Sequence, residues 1–312
     1  MAWLITGGAG YIGAHVVDVF SQMNEEIIVL DNLSTGYAER IVGKGPLITA
    51  DICNLEEVEA IFNNFTIEGV IHLAALKSVE QSNLYPQEYF KVNVEGTRNL
   101  LSISIQNEVE VFILSSSAAV YGNSKIGTVN ESTNLKPISN YGLTKMKSEE
   151  LLDKAIDQKK IRGTSLRYFN VVGAKNEMLR DRSNANLFPI IREKIQKGLR
   201  PEIFGGDYPT EDGSCVRDYV HVCDIARAHF EAAKILKNHQ INKHLNIGTG
   251  RGYSVKEIIK EFEIQYKIDL NPIIQPRRIG DPAKLVADTN LAFKDLGFQA
   301  KMTLREMVKS SY

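Results

Sequence analysis

The chain has 312 residues, of which 43% are hydrophobic and 24% charged, with 37 basic against 38 acidic side chains and a net charge of -1. These values exclude a disordered chain and announce no nucleic-acid or anionic-membrane partner; they suit a globular protein of one large domain or two with a small neutral or anionic ligand. Cys53, Cys215 and Cys223 are odd in number and form no C-x-x-C pair, which argues against a disulfide framework and a zinc site, and no apolar run approaches the ~18 residues of a membrane span.

That cysteine usage makes the cytoplasm the expected compartment, and the N-terminus runs straight into Ala2-Trp3-Leu4-Ile5-Thr6 without a signal-peptide pattern. Residues 2 to 6 read as a short buried strand, followed by Thr6-Gly7-Gly8-Ala9-Gly10-Tyr11-Ile12-Gly13 and the helical pattern of Ala14 to Met23. In such a strand, turn and helix, Gly7, Gly10 and Gly13 let the backbone turn tightly, approach a pyrophosphate and pack helix on strand. The helix N-terminus offers unpaired N–H groups to the phosphates. Alone, a glycine triplet is a weak signal. The next strand, Glu26 to Leu30, ends in Asp31, about the ~20 residues on where a carboxylate holds the adenosine ribose hydroxyls. A turn residue before Asn32 is the plainer role, but strand, glycines, helix, strand and acid arriving in order favour a dinucleotide. Asp31 repels a 2′-phosphate and Arg40 is the nearest arginine, so NAD is expected over NADP.

Strand-like and helix-like segments then alternate. Leu47 to Ala50 ends at Asp51-Ile52, a helix follows from Leu55 to Asn63, and Gly69 to Ala75 is an apolar strand whose His72 reads as a satisfied core histidine. Another helix covers Pro86 to Gln106. The strand Val109 to Leu114 runs into Ser115-Ser116-Ser117, and a helix carrying Tyr141 and Lys145 continues to about Gln158. Such alternation predicts a parallel sheet covered on both faces, a Rossmann-type doubly wound α/β fold. Ligands bind outside the carboxyl ends of these strands, where Gly7, Asp31, Asp51, Ala74 and Ser117 fall. No cluster of His, Cys and acidic residues has ligand spacing, so no metal is expected.

Tyr141 and Lys145 are four residues apart and share a helix face. A free phenol ionises near pH ~10. A nearby ammonium and the positive charge of an oxidised nicotinamide favour the phenolate and bring its pKa towards neutrality, which makes a base. Ser117 can hydrogen-bond the same substrate hydroxyl. An isolated Y-x-x-x-K is more often a half-buried tyrosine and a solvated lysine; the glycine turn upstream reverses that weighing.

From Arg167 the pattern changes. Tyr168-Phe169-Asn170-Val171-Val172-Gly173 ends a strand, and a loop-rich stretch follows through Asn184 to Leu187, Phe204 to Gly213 and Val216 to Tyr219. A helix from Val222 to Leu236 and a strand at His244 to Ile247 are expected to return to the first domain. Two later helices, near Ser254 to Ile264 and Asn290 to Leu296, flank Pro276-Arg277-Arg278-Ile279-Gly280-Asp281. The expected organisation is an NAD-binding domain over residues 1–166, with a return segment near 220–248, and a smaller, loop-rich α/β substrate-binding domain over 167–312. Arginines on loops facing the cleft suit a phosphate-bearing substrate; taken singly, each reads more readily as solvated surface charge.

Together these segments resemble UDP-galactose 4-epimerases, a branch of the extended short-chain dehydrogenase/reductase family. The likeness is carried by the glycine turn, Asp31-Asn32-Leu33, Leu76-Lys77-Ser78-Val79, Ser115 to Gly122, Tyr141 with Lys145, Arg167 to Asn170, Asp207 to Gly213, Val216 to Tyr219, and Pro276 to Arg278 with Gly280-Asp281. Tyr-Pro-Thr-Glu-Asp-Gly and Val-Arg-Asp-Tyr are the segments most particular to that branch. The resemblance implies that Ser117 and Tyr141 handle the sugar hydroxyl while Lys145 holds the nicotinamide ribose. It implies cofactor contacts from Gly7, Gly10, Tyr11, Ile12, Gly13, Asp31, Asn32, Asp51, Ile52, Leu73, Ala74, Ala75, Lys77, Asn93 and Tyr168. Asn170, Asn186, Leu187, Phe204, Arg217, Tyr219, Arg278 and Asp281 would enclose a UDP-sugar, and Leu285 falls beside the sugar's C2 substituent. Homodimers through helices flanking the sheet are the family's expected assembly. Three departures stand out: Ala185 where asparagine is common, a short loop from Lys175 to Ser183, and a chain that stops at Tyr312.

The implied chemistry is a transient oxidation, since the C4 hydrogen of a hexose is not acidic. Phenolate and NAD together oxidise C4, the 4-keto sugar turns its other face, and reduction inverts the centre. A nucleotide-sugar 4,6-dehydratase would need a further acid and base, an Asp-Glu pair where this chain has Ala118-Ala119. An NAD-binding sensor would keep Gly7 and Asp31 without needing Ser117, Tyr141 and Lys145, and an epimerase acting also on N-acetylated UDP-sugars is the nearer alternative.

Overall fold

The computed structural model describes residues 1–124, 127–183, 186–278 and 280–311. The chain opens with β1 (Ala2–Thr6) and α1 (Tyr11–Gln22), followed by β2 (Ile27–Asp31), β3 (Leu47–Thr49), α2 (Leu55–Asn64) and β4 (Ile67–His72). After α3 (Val79–Leu84), α4 (Pro86–Phe90) passes through a π-helical turn at Lys91–Glu95 into α5 (Gly96–Gln106). Then come β5 (Val111–Ser117), β6 (Thr128–Val129), α6 (Asn140–Asp157), β7 (Arg162–Tyr168), β8 (Asn170–Val172), α7 (Leu187–Gln196) and β9 (Glu202–Phe204). The remainder is β10 (Val216–His221), α8 (Val222–Leu236), β11 (His244–Ile247), β12 (Gly252–Ser254), α9 (Val255–Tyr266), β13 (Ile273–Gln275), β14 (Lys284–Ala287), α10 (Asn290–Leu296) and α11 (Leu304–Ser311).

A seven-stranded parallel sheet runs in the order β11-β7-β5-β4-β1-β2-β3. Alternation along β1 explains why both faces are covered. Trp3 and Ile5 join one core with Val16, Val17 and Phe20 of α1 and Ile225, Ala228 and Ala232 of α8. Ala2 and Leu4 point to the other, with Val58 of α2, Leu100 of α5 and Leu152 of α6. The strand order reverses between β1 and β4, which opens a crevice at their carboxyl ends. The expected return of His244 to Ile247 is met: β11 pairs in parallel with β7, from His244 opposite Ser165 to Ile247 opposite Tyr168.

Beyond Arg167 the chain is more ordered than a loop-rich reading suggested. β10 is the hub of a second sheet, antiparallel to β12 and parallel to β14 and β8, while β13 pairs with β9. The helix α7, unpredicted, buries Phe188 and Ile191 against Tyr219 and Phe262 in a third core. Its hydrophobic stripe is short, and the segment before it reads as a turn. The predicted single helix from Pro86 to Gln106 is interrupted by the π turn, where one extra residue per turn sets Asn93 facing inward.

Candidate active site

The helix α6 is started by Ser139, whose hydroxyl accepts from the Gly142 N–H at 3.1 Å. Gly142 lets it come close to the turn after β5, because a Cβ there would lie 2.6 Å from the Ala119 carbonyl oxygen. Tyr141, Lys145 and Glu149 then form one stripe facing the serines of β5. Lys145, buried, donates from Nζ to the Ser115 carbonyl at 2.9 Å. The Ser117 hydroxyl accepts from the Ala119 N–H at 3.2 Å and lies beside the half-buried Tyr141.

Without the cofactor, burial pushes the Tyr141 phenol up to about 12, with the Ser117 hydrogen bond opposing and Tyr89 reinforcing the rise. Burial also brings the Lys145 ammonium down to about 8, opposed by Glu149. In this cofactor-free state desolvation dominates at Tyr141, and a pKa near neutrality calls for the positive charge of the oxidised nicotinamide beside that of Lys145.

Asn93 fastens the neighbouring loop to this helix. Its amide accepts from the Leu76 N–H at 2.8 Å and donates to the Leu76 carbonyl and the Thr144 hydroxyl, each at 3.0 Å. Tyr168 closes the floor; its hydroxyl is 2.5 Å from His229 Nε2, and burial raises its phenol. His72 is, as read, a core histidine, held between the Thr6 and Thr97 hydroxyls at 2.8 and 2.9 Å.

The turn after β1 carries the dinucleotide features. Gly7 has φ +68° and backs onto Ala74, whose N a Cβ would approach to 2.6 Å. Gly10 precedes α1, whose N-terminus has neither a side-chain cap nor an acidic residue in its first turn; Ile12 and the buried Gly13 follow. Asp31, buried at the end of β2, accepts from the Ala9 and Leu33 N–H groups, both at 2.9 Å. Asn32 is exposed and Ile52 buried, and Asp51 accepts from Cys53 N–H at 2.8 Å. Arg40 is buried, donating to the carbonyls of Ala9 and Arg180, so it is not presented to a 2′-phosphate. Leu73, Ala74 and Ala75 leave β4, with Leu73 and Ala74 bonded to Thr6. The Tyr11 hydroxyl donates to the Gly173 carbonyl at 2.5 Å, and Lys77 Nζ lies 5.9 Å from its ring and 3.7 Å from Asp181.

Across the crevice, Arg217 on β10 donates to the Pro282 carbonyl at 2.7 Å and pairs with Asp281 at 3.4 Å. Leu285 is its partner in register, half-buried. The Arg278 guanidinium sits 3.8 Å from the centre of the Phe204 ring. Asn186 donates to Asp181 at 2.6 Å and Leu187 begins α7. Asn170 is exposed, and Tyr219 is buried in the third core beside Phe188. Ala185, Ile279 and Tyr312 lie outside the described residues. Sequence reasoning missed Asp181, which joins Lys77 to Asn186, and Glu149, whose type and spacing do not separate it from its exposed neighbour Glu150. Among the described residues no group of three His, Cys, Asp or Glu could hold a metal ion.

The profile of the NAD dependent epimerase/dehydratase family matches residues 3–248. A UDP-glucose 4-epimerase of Halalkalibacterium halodurans is 38% identical over 320 residues, covering 100% of this chain and 95% of that protein. The crystal structure of a UDP-glucose-4-epimerase from Stenotrophomonas maltophila with bound NAD and formylated UDP-arabinopyranose superposes with a TM-score of 0.95 at 36% identity, over 100% of this chain and 96% of that one. The UDP-Glc/GlcNAc 4-epimerase of Campylobacter jejuni follows with a TM-score of 0.88 at 36% identity, over 99% and 97%.

Proposed function

Because the chain belongs to the NAD dependent epimerase/dehydratase family, we propose that it inverts C4 of UDP-hexoses, interconverting UDP-galactose and UDP-glucose with NAD as its cofactor. The observation that carries this reading is the convergence of Ser117, Tyr141 and Lys145 at the carboxyl end of β5, beside the sheet's crevice, with no acid or base at Ala118-Ala119. The first turn of α1 and Asp31 fit a dinucleotide: uncapped N–H groups suit a diphosphate, and a carboxylate at the end of β2 suits ribose hydroxyls. NAD, when bound, supplies the acceptor and later the donor of the C4 hydrogen.

This chain's residues do the rest. Tyr141 takes the O4 proton and returns it, Ser117 hydrogen-bonds that oxygen, and Lys145 keeps a positive charge near the phenol. Arg217 and Arg278 hold the diphosphate, so the 4-keto sugar is free to present either face. Residues 1–166 with the return near 220–248 form the cofactor half and 167–312 the UDP-sugar half in this reading. Exposed Leu84, Tyr85, Phe90 and Leu143 support a homodimer through the helices flanking the sheet. A cytoplasmic setting is supported by three free cysteines; among the described residues no helix is long and apolar enough to cross a membrane.

The test is to incubate the protein with UDP-galactose and no added reductant, and to look for UDP-glucose. A 4-keto-6-deoxy product would replace this reading with a dehydratase, and no product would leave an NAD-binding sensor.

A further inference from the structure

We propose that Glu149 is a positioning residue for the acid–base pair: held by Arg167 and Ser116, it fixes the end of β5 against α6 and sets a carboxylate one helical turn from Lys145. The inference rests on Tyr141 and Lys145 being that pair. Glu149 follows Lys145 by four residues and continues the stripe that begins at Tyr141. Ser116 and Arg167 are register partners on β5 and β7, so their side chains leave the same face of the sheet. The Glu149 carboxylate gathers both: Oε1 accepts from Arg167 Nε at 2.9 Å and from the Ser116 hydroxyl at 2.5 Å, and Oε2 accepts from Arg167 Nη2 at 2.7 Å. Glu149, Arg167 and Ser116 are 2%, 1% and 1% exposed, so this geometry has little freedom.

Ser116 is the middle of the three serines. On one side of it Ser115 offers its carbonyl to Lys145, and on the other Ser117 lies beside Tyr141. One buried carboxylate thus sets the register between the strand and the helix that supply the three reacting side chains. A buried ion pair is a poor source of net stability, because desolvation offsets its attraction. Position and charge are what this one contributes.

The charged and titratable groups around Lys145 are few. Glu149 and Tyr141 face it from α6, and His72 faces it from β4, kept neutral by burial at about 3. The Ser115 carbonyl faces it from β5. Around Glu149 stand Arg167 from β7 and His244 from β11, whose Nδ1 is 3.7 Å from Oε2. Glu149 is the anion that opposes loss of the Lys145 proton. Removing it would also strand the Arg167 charge, and both effects disfavour the ammonium.

The experiment follows the Lys145 titration in the NAD-loaded protein by NMR of 13Cε-labelled lysine, the signal being assigned by its loss in Lys145→Met. In Glu149→Gln the midpoint is expected to fall by about 1 pH unit, and the alkaline limb of kcat should fall with it, while Glu149→Asp, which keeps the charge, holds the midpoint near the parent although its shorter reach slows turnover. Where Glu149→Gln does not fold, the paired Glu149→Gln/Arg167→Met variant replaces it with the same expected direction. Ser116→Ala, which leaves the ion pair in place, should lower kcat several-fold with KM for UDP-galactose and Tm near the parent values. An unmoved Lys145 midpoint without the carboxylate, or parental kcat in Ser116→Ala, overturns the proposal. If Tyr141→Phe turns over normally, the acid–base assignment itself fails; if that variant is inactive and the Lys145 midpoint is unmoved, only the role of Glu149 fails.

Discussion

Lys145 donates to the Ser115 carbonyl at 2.9 Å, so the ammonium is fastened to the strand that carries Ser117 rather than left to solvent. With the Tyr141 phenol at about 12 before the cofactor is bound, an active base needs every positive charge near it. With Tyr141 as the base, activity should be lost as pH falls through the phenol's pKa in the complex. Lys145→Met removes a positive charge, raises that pKa and moves the acidic limb of the kcat profile upward. Tyr141→Phe should lower turnover by at least the ~10²-fold typical of losing a general acid–base, with NAD and UDP-sugar affinities within a few-fold of the parent. Turnover near normal in Tyr141→Phe would remove the assignment.

Asp31 accepts from Ala9 and Leu33, so it shapes the turn after β1 in addition to its proposed role towards a ribose. Asp31→Ala should weaken NAD binding and narrow its advantage over NADP, since the carboxylate both accepts hydroxyl bonds and repels a phosphate. Each backbone bond lost costs about 1 kcal/mol, so Tm should fall without cofactor too. Titration of both dinucleotides against parent and variant checks this; equal affinities in the parent would remove the premise.

Four histidines are buried with lowered pKa values, His221 among them, and three of the four are lowered far. Burial lowers His15 to about 4, His72 to about 3 and His229 to about 4, and each ring is hydrogen-bonded within the core. Unfolded, they ionise near pH ~6.5. Below that pH the unfolded chain binds more protons than the folded one, so their contribution is complete above about 6.5 and drains away as pH falls towards about 4. Each adds a slope approaching ~1.4 kcal/mol per pH unit in that window. Urea midpoints should therefore drop between about pH 7.5 and about pH 5; a flat profile would contradict the burial argument.

The parts legible in the sequence are those written in local patterns. β1, the glycine turn and α1 follow from apolar run, glycines and helical spacing, and α8 and β11 begin and end where the sequence places them. What was not legible depends on distant partners. The π turn at Lys91–Glu95 turns Asn93 towards Leu76 and Thr144, and no residue inside that helix announces it. The elevated Tyr141 phenol follows from burial, which the spacing of Tyr141 and Lys145 does not report. Glu149 acquires a role only once β5 and β7 set Ser116 opposite Arg167.

Leu285 is the proposed gate for the size of sugar admitted. It lies on β14 opposite Arg217 and packs against the cluster of Ala118, Val120 and Phe169, so it stands between the turn after Ser117 and the arginine that would hold the diphosphate. Plain packing and a wall for the sugar's C2 substituent are both consistent with that place. A bulky rigid wall rejects an added acetamide by overlap, whereas a smaller, flexible leucine costs only ~1–3 kcal/mol of misfit. UDP-glucose and UDP-galactose should therefore be interconverted best, with UDP-N-acetylglucosamine a slower substrate. Leu285→Tyr should widen the ratio of kcat/KM between the two sugar pairs, mainly by suppressing the N-acetylated one. The measurement is kcat/KM for both pairs in parent and variant. If tyrosine leaves the ratio unchanged, Leu285 only packs, and the wall must be sought elsewhere around the crevice.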